Sequence, residues 1–184
     1  MSDTLKSTSS SDETTPVLIV GGSLVGLSTA LFLSWHGIPN LLVERHAGIS
    51  PFPRAGGFNP RTMELYHEVG LEPDIRRAEP KEMLDSIIVK VESLAGEEFG
   101  RFAQNMHQAF TFPASPYQGS IITQNLLEPI LQTHAKKLGS DLRFSTQFVS
   151  CEQDDEGVSA IIRDLKTGHE HTVRASYLVA ADGN

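Results

Sequence analysis

Cysteine is nearly missing from these 184 residues. The single Cys151 leaves no disulfide framework and no Cys-x-x-Cys pair for zinc or redox work. Basic residues are also scarce. Fifteen Lys and Arg stand against 23 Asp and Glu, a formal charge of −8 at pH 7. That balance argues against a broad nucleic-acid surface, which needs a clustered basic face to neutralise phosphates. It leaves room for a small anionic ligand, because backbone N–H groups hold an anion without net positive charge. No apolar run approaches the roughly 20 residues needed to cross a bilayer, so no membrane partner is expected. Residues 1–15 (MSDTLKSTSSSDETT) have nothing to bury and are expected to form a disordered tail. They contain no apolar core of a secretory signal. Asp3, Asp12 and Glu13, with no Arg, speak against a mitochondrial presequence, and a cytoplasmic location is expected. At 39% hydrophobic and 21% charged, the remainder is an ordinary globular chain.

Order is expected from Pro16. Val17-Leu18-Ile19-Val20 is a short β-branched run bounded by Gly21-Gly22, which reads as a strand buried on both faces. Leu24 to His36 reads as a helix stopped at Gly37, apolar nearly all round and therefore buried. Leu41-Leu42-Val43, closing with Glu44, is a second buried strand. The three elements form a βαβ unit. Asn59-Pro60 predicts an N-cap and first helical residue, with a stop at Gly70. Residues 83–93 and about 101–112 predict strands of a separate sheet around a Gly96 turn. Asn125 and Glu128 resemble a capping box, with Pro129 expected in the first turn and a stop at Gly139. Glu156-Gly157 and Thr167-Gly168 punctuate a three-strand meander from about 142 to 174, in which Cys151 is expected to be structural. Tyr177 to Ala181 returns to a buried-strand pattern. His169 and His171 share a strand face, but two histidines without a third ligand make a poor metal site, and no metal is expected.

The chemistry concentrates between the first strand and helix. Gly21, Gly22, Ser23, Leu24, Val25 and Gly26, followed by Ala30, match the dinucleotide fingerprint G-x-G-x-x-G-x-x-x-A with Ser at the second glycine. Gly21 permits the tight turn, Gly26 and Ala30 permit close helix–strand packing, and the helix N-terminus aims N–H groups at a pyrophosphate. Ser23 is a departure: its hydroxyl adds a donor but crowds the backbone approach. Glu44, 18 positions past Gly26, ends the second strand where a carboxylate can accept from both ribose hydroxyls of adenosine, which disfavours a 2′-phosphate. The alternative is an unliganded turn whose glycines serve packing alone.

The segments VLIVGGSLVGLSTALFL, LLVERH, PRAGGFNPRTMELY, ITQNLLEPIL and YLVAADG occur in this order. Together they resemble the N-terminal part of the FAD-dependent aromatic hydroxylases, single-component flavoprotein monooxygenases similar to p-hydroxybenzoate hydroxylase, in the branch acting on aromatic polyketides and phenols. The resemblance covers residues 16–184, and in that family Ser also occurs at the middle glycine. It implies FAD as cofactor, with NADPH or NADH as transient reductant, and O2 and a small aromatic molecule as co-substrates. It implies that Gly21 to Gly26 hold the FAD pyrophosphate, that Glu44 binds the adenosine ribose and that Arg45 lies along the adenine or ribose. Arg54 would lie near the flavin and pyrophosphate, and Gln124 would reach the FAD from the other side. Asp182, with Gly183, would begin a second fingerprint serving FAD and the nicotinamide.

The fold class expected is α/β: a Rossmann-type FAD-binding domain, built of a βαβ unit and a β-meander, with part of an inserted substrate-domain sheet. The divisions expected are 1–15 as tail, 16–80 as βαβ unit and flavin loop, 81–120 as partial substrate sheet, and 121–184 as the remainder. The resemblance further implies that the family pattern continues past Asp182-Gly183, so the chain reads as C-terminally truncated, without a catalytic acid or base of its own and not active alone. Two alternatives stand beside the hydroxylase reading: a non-catalytic FAD- or ADP-binding module, and a flavin halogenase or FAD-dependent dehydrogenase on the same fold. Gly56-Gly57 beside Arg54 suits a mobile loop.

Overall fold

The computed structural model describes residues 13–49, 54–84, 87–103 and 114–183. Its elements are β1 (Glu13–Val20), α1 (Leu24–Trp35), β2 (Asn40–Glu44), α2 (Pro60–Glu68), α3 (Glu72–Ala78), α4 (Lys81–Leu84), β3 (Ile88–Val91), β4 (Glu98–Ala103), α5 (Gln124–Lys137), β5 (Asp141–Phe144), β6 (Thr146–Asp154), β7 (Gly157–Asp164) and β8 (Glu170–Ala180). They fall into two compact units. One comprises the described residues of Met1–Ile49 and Ala135–Asn184, the other those of Ser50–His134, a division different from the boundaries expected above.

The first unit is a six-stranded sheet in the order β5-β2-β1-β8-β7-β6. β5, β2, β1 and β8 run parallel, and β8, β7 and β6 are antiparallel. The βαβ unit falls where the glycine spacing predicts it. β1 is apolar because its second half is buried on both faces, and α1 lays Gly26, Leu27, Ala30 and Leu31 inward. Leu18, Val20, Leu41, Val43, Ala160, Ile162, Val173 and Ala175 form one apolar cluster. Alternation along β7, with Val158, Ala160 and Ile162 buried, supplies its antiparallel side.

Several expectations need correction here. Order reaches back to Glu13, because Glu13, Thr14 and Thr15 pair with Val173, Arg174 and Ala175 of β8. Glu13 is also ion-paired to Arg143. The rest of the expected tail lies outside the described residues. Helix α1 is not buried all round: Val25 and Trp35 are exposed. The stretch after Arg174 is not a separate buried strand but the end of the long β8, and Tyr177 stands open to solvent. Cys151 is an exposed free thiol on β6 rather than a packed residue.

In the second unit Asn59 caps α2 as expected, its side chain accepting from Thr62 N–H at 2.9 Å. Met63, Tyr66, Leu71, Ile75, Ile121, Ile122, Leu127 and Leu131 are buried. In the two-stranded β3–β4 sheet, β3 begins later than predicted, at Ile88, residues 81–84 being helical, and β4 begins earlier, at Glu98 rather than about 101. Phe99 and Phe102 are exposed on it, and the predicted part beyond 103 lies outside the described residues. Asn125 is not an N-cap. The helix already starts at Gln124, with Leu126 and Leu127 N–H bonded to Thr123 O, so Pro129 lies inside the helix rather than in its first turn. Among the described residues, no helix is long and apolar enough to cross a membrane.

One buried polar side chain ties the first unit together. Asn40 Nδ2 donates to Ser34 Oγ at 2.9 Å and Ile38 O at 3.1 Å, while its Oδ1 accepts from the Ser140 hydroxyl. It therefore joins the end of α1 to the starts of β2 and β5. Asn40→Leu leaves these partners unsatisfied in the interior, and a loss of about 2 kcal/mol is expected. The urea unfolding midpoint checks it; an unchanged midpoint would contradict this role.

Candidate cofactor site

The C-terminal ends of three parallel strands set the site. Val20 lies beside Val43 on one side and Ala180 on the other. Hydrogen bonds continue past the strands: Gly21 N–H donates to Val43 O at 2.9 Å, and Ala181 N–H to Val20 O at 2.7 Å. Gly21, Glu44 and Asp182 thus share one edge, although 161 positions separate the first from the last (182 − 21).

The turn out of β1 is built for backbone approach. Gly21 has φ of +105°, and a Cβ there would stand 2.5 Å from Ala181 O. A Cβ at Gly26 would stand 1.9 Å from Gly21 O, so no side chain fits between helix and turn. Ser23, at the N-cap of α1, has φ of −92°, which any residue adopts. The serine at the second fingerprint glycine therefore carries no backbone strain, and its side chain is exposed. The first turn of α1 contains no acidic residue, and Leu24 and Val25 sit at its outer end, Val25 being 65% exposed. An open helix N-terminus of this kind favours an anion.

Glu44 is locked to the turn. Its Oε2 accepts from Gly22 N–H at 2.7 Å. Its Oε1 accepts from His46 N–H at 2.7 Å and lies 2.6 Å from His46 Nδ1. Burial pushes the carboxyl up. The hydrogen bonds from the His46 and Gly22 backbone, with the His46 ring, outweigh it and hold the group below the ordinary glutamate value. A carboxylate offers about four lone-pair positions, and three are engaged here. One further donor finds a place on Oε2. A second requires the His46 ring, whose side chain is 68% exposed, to swing off Oε1. His46 is a partner of Glu44 that the sequence reading missed. Its only signal is a histidine two positions beyond the acidic strand end.

Arg45 is exposed at the end of β2, and Asp182 is exposed just past β8, its backbone N 2.6 Å from where a Gly21 Cβ would stand. The other predicted residues belong to the second unit. Arg54 is exposed, and among the described residues its guanidinium has no carboxylate partner. Gln124 is held within the protein. It is only 4% exposed, and its side chain turns inward to Arg54 N–H and Glu128. The Gly56-Gly57 loop is fastened at both ends: Gln124 N–H donates to Ala55 O, and Phe58 and Ser120 exchange both backbone hydrogen bonds. Gly56-Gly57 lies between these two fastened points.

A glycine turn between a parallel strand and a helix, with a carboxylate pinned at the end of the next strand, defines a dinucleotide-binding α/β protein. A family model described as FAD binding domain matches residues 14–184, and the chain belongs to that family. It is 50% identical over 169 residues to a 4-methyl-5-nitrocatechol 5-monooxygenase of Burkholderia sp., covering 91% of this chain and 31% of that protein. It is 45% identical over 175 residues to an aklavinone 12-hydroxylase of Streptomyces peucetius, covering 91% of this chain and 35% of the relative. A crystal structure of a ternary complex of aklavinone-11 hydroxylase with FAD and aklavinone superposes with a TM-score of 0.84 at 40% identity, over 95% of this chain and 34% of that one. The chain spans about a third of the length of the relatives it matches.

Two outcomes test the geometry. Gly26→Ala forces helix and turn apart, and a loss of about 3 kcal/mol is expected in chemical denaturation. Stability equal to wild type would show that the backbone contact is not tight. Glu44 has a lowered folded pKa, so its hydrogen bonds contribute fully above the unfolded value of about 4.3 and fade as pH falls through the folded one. The stability gap between wild type and Glu44→Gln should therefore shrink as pH falls from about 5 toward 3. A gap that stays constant or widens in acid would contradict it.

Proposed function

We propose that this chain is the FAD-binding part of an NAD(P)H-dependent flavin monooxygenase that hydroxylates a phenol- or polyketide-like aromatic molecule. The observation that carries the reading is the hydrogen bond from Gly22 N–H to Glu44 Oε2. It holds a carboxylate directly against the glycine turn, the arrangement that a ribose-binding group beside a pyrophosphate-binding turn requires. The donor set fits FAD: a turn whose glycines let β1, α1 and the chain after β8 meet backbone to backbone, a helix end with no side-chain cap, and a half-buried carboxylate. Membership of the FAD binding domain family, and relatives named as monooxygenases and hydroxylases, support the same choice.

In this reading the Gly21 to Gly26 turn receives the pyrophosphate through the N–H groups of Ser23 to Gly26, Gly22 N–H being held by Glu44, and Glu44 orients the adenosine ribose. Arg45 lies along the adenosine, and the Arg54 guanidinium neutralises cofactor charge. Asp182, beside the Gly21 turn, adds a second polar anchor, and Gln124 serves the cofactor through the Arg54 segment. When bound, FAD supplies the electron transfer and oxygen activation of the reaction, with NADH or NADPH as reductant and O2 as oxidant. The protein's share is binding and orientation; none of these side chains is assigned as a catalytic acid or base. The cytoplasm, where the exposed Cys151 thiol stays reduced, is the compartment proposed.

Fluorescence titration of FAD into the 184-residue chain tests this directly. Saturable binding is expected, with Glu44→Ala about 10- to 100-fold weaker through loss of charge-assisted hydrogen bonds. ADP should compete and 2′-phosphorylated ADP should compete poorly, because the extra phosphate meets the Glu44 carboxylate. Equal competition by both nucleotides, or no effect of Glu44→Ala, would refute the assignment of that carboxylate to the ribose.

A further inference from the structure

Gln124 and Glu128 stand one turn apart on the same buried face of α5, at 4% and 1% exposure. Gln124 grips the Arg54–Ala55 segment at two points. Its Oε1 accepts from Arg54 N–H at 3.0 Å, and its own N–H donates to Ala55 O at 2.9 Å. At its other end, Nε2 donates to Glu128 Oε1 at 2.8 Å. An amide's oxygen and nitrogen are alike in shape, so something must decide which of them faces Arg54. A carboxylate accepts and does not donate, so Glu128 draws the amide nitrogen to itself and leaves the oxygen for the Arg54 N–H. A flipped amide would set two donors against each other at Arg54 and two acceptors against each other at Glu128.

We propose that Glu128 is a positioning residue: by fixing the orientation of the Gln124 amide it holds the backbone at Arg54, and so sets the Arg54 guanidinium for the anionic cofactor. The cofactor part of this inference rests on the FAD reading above; the backbone part does not. It assigns Glu128, which resembled a helix cap in the sequence, a role reached through a side chain rather than through the helix terminus.

The test is a charge-conserving exchange. Gln124→Glu alone faces one carboxylate with another and breaks the Nε2 donation. The pair Gln124→Glu with Glu128→Gln restores it in reverse, residue 124 still accepting from Arg54 N–H. NMR-detected hydrogen exchange at the Arg54 N–H of the FAD-free chain reads the backbone, and FAD titration reads the site. Gln124→Glu should speed Arg54 exchange at least tenfold and weaken FAD binding at least tenfold. The double exchange should bring both within about twofold of wild type. Glu128→Met, an apolar replacement of similar shape, should also speed Arg54 exchange, and serves if Gln124→Glu does not fold. Amides of β1 and α1 should be unaffected throughout. Unchanged Arg54 exchange in Glu128→Met, or a double exchange as impaired as Gln124→Glu, would overturn the proposal. A wild-type chain that fails to bind FAD while the exchange pattern holds would instead fault the cofactor reading alone.

Discussion

The contact between α1 and the turn that precedes it constrains everything around it. With 1.9 Å between a hypothetical Cβ at Gly26 and the Gly21 carbonyl oxygen, the helix can only lie backbone to backbone on the end of β1. That approach fixes where the first amides of α1 emerge and points Gly22 N–H at Glu44. It also leaves just enough space for the chain leaving β8, where the Ala181 carbonyl abuts Gly21. Three distant stretches of chain become one edge because two positions carry no side chain.

The same constraint explains how a chain of charge −8 can suit an anionic dinucleotide. Net charge acts at long range and is screened over about 8–10 Å in physiological salt. Amide groups at a helix end act at hydrogen-bond distance and carry no counter-charge. Of the two carboxylates at the edge, Glu44 and Asp182, Glu44 is engaged by N–H donors and, in the proposed reading, stands where ribose hydroxyls rather than phosphate are expected.

The first βαβ unit was legible because its signals are local. Glycine spacing, a β-branched run and an acidic strand end all lie within residues 17–44. What sequence reasoning missed depends on distant partners. Glu13 to Thr15 look disordered by composition, and are ordered by β8 and Arg143. Asn125 has the right spacing for a cap, but Gln124 enters the helix first because its side chain is held by Arg54 and Glu128. His46 took its place at Glu44 without any motif, since an exposed histidine next to a carboxylate leaves no periodic trace. The resemblance names Arg54 and Gln124 as separate cofactor residues, and the link between them was not foreseen. Their hydrogen bond spans 70 positions and no local pattern announces it.

The account depends most on the β1–α1 turn being the cofactor's pyrophosphate site. Titrating ADP into the 15N-labelled chain and following amide shifts tests this most directly. The prediction is saturable shifts concentrated at Gly22, Ser23, Leu24, Val25 and Gly26, with a second group at Glu44 and Arg45. Shifts that do not saturate, or that saturate while these seven amides stay still, would contradict it.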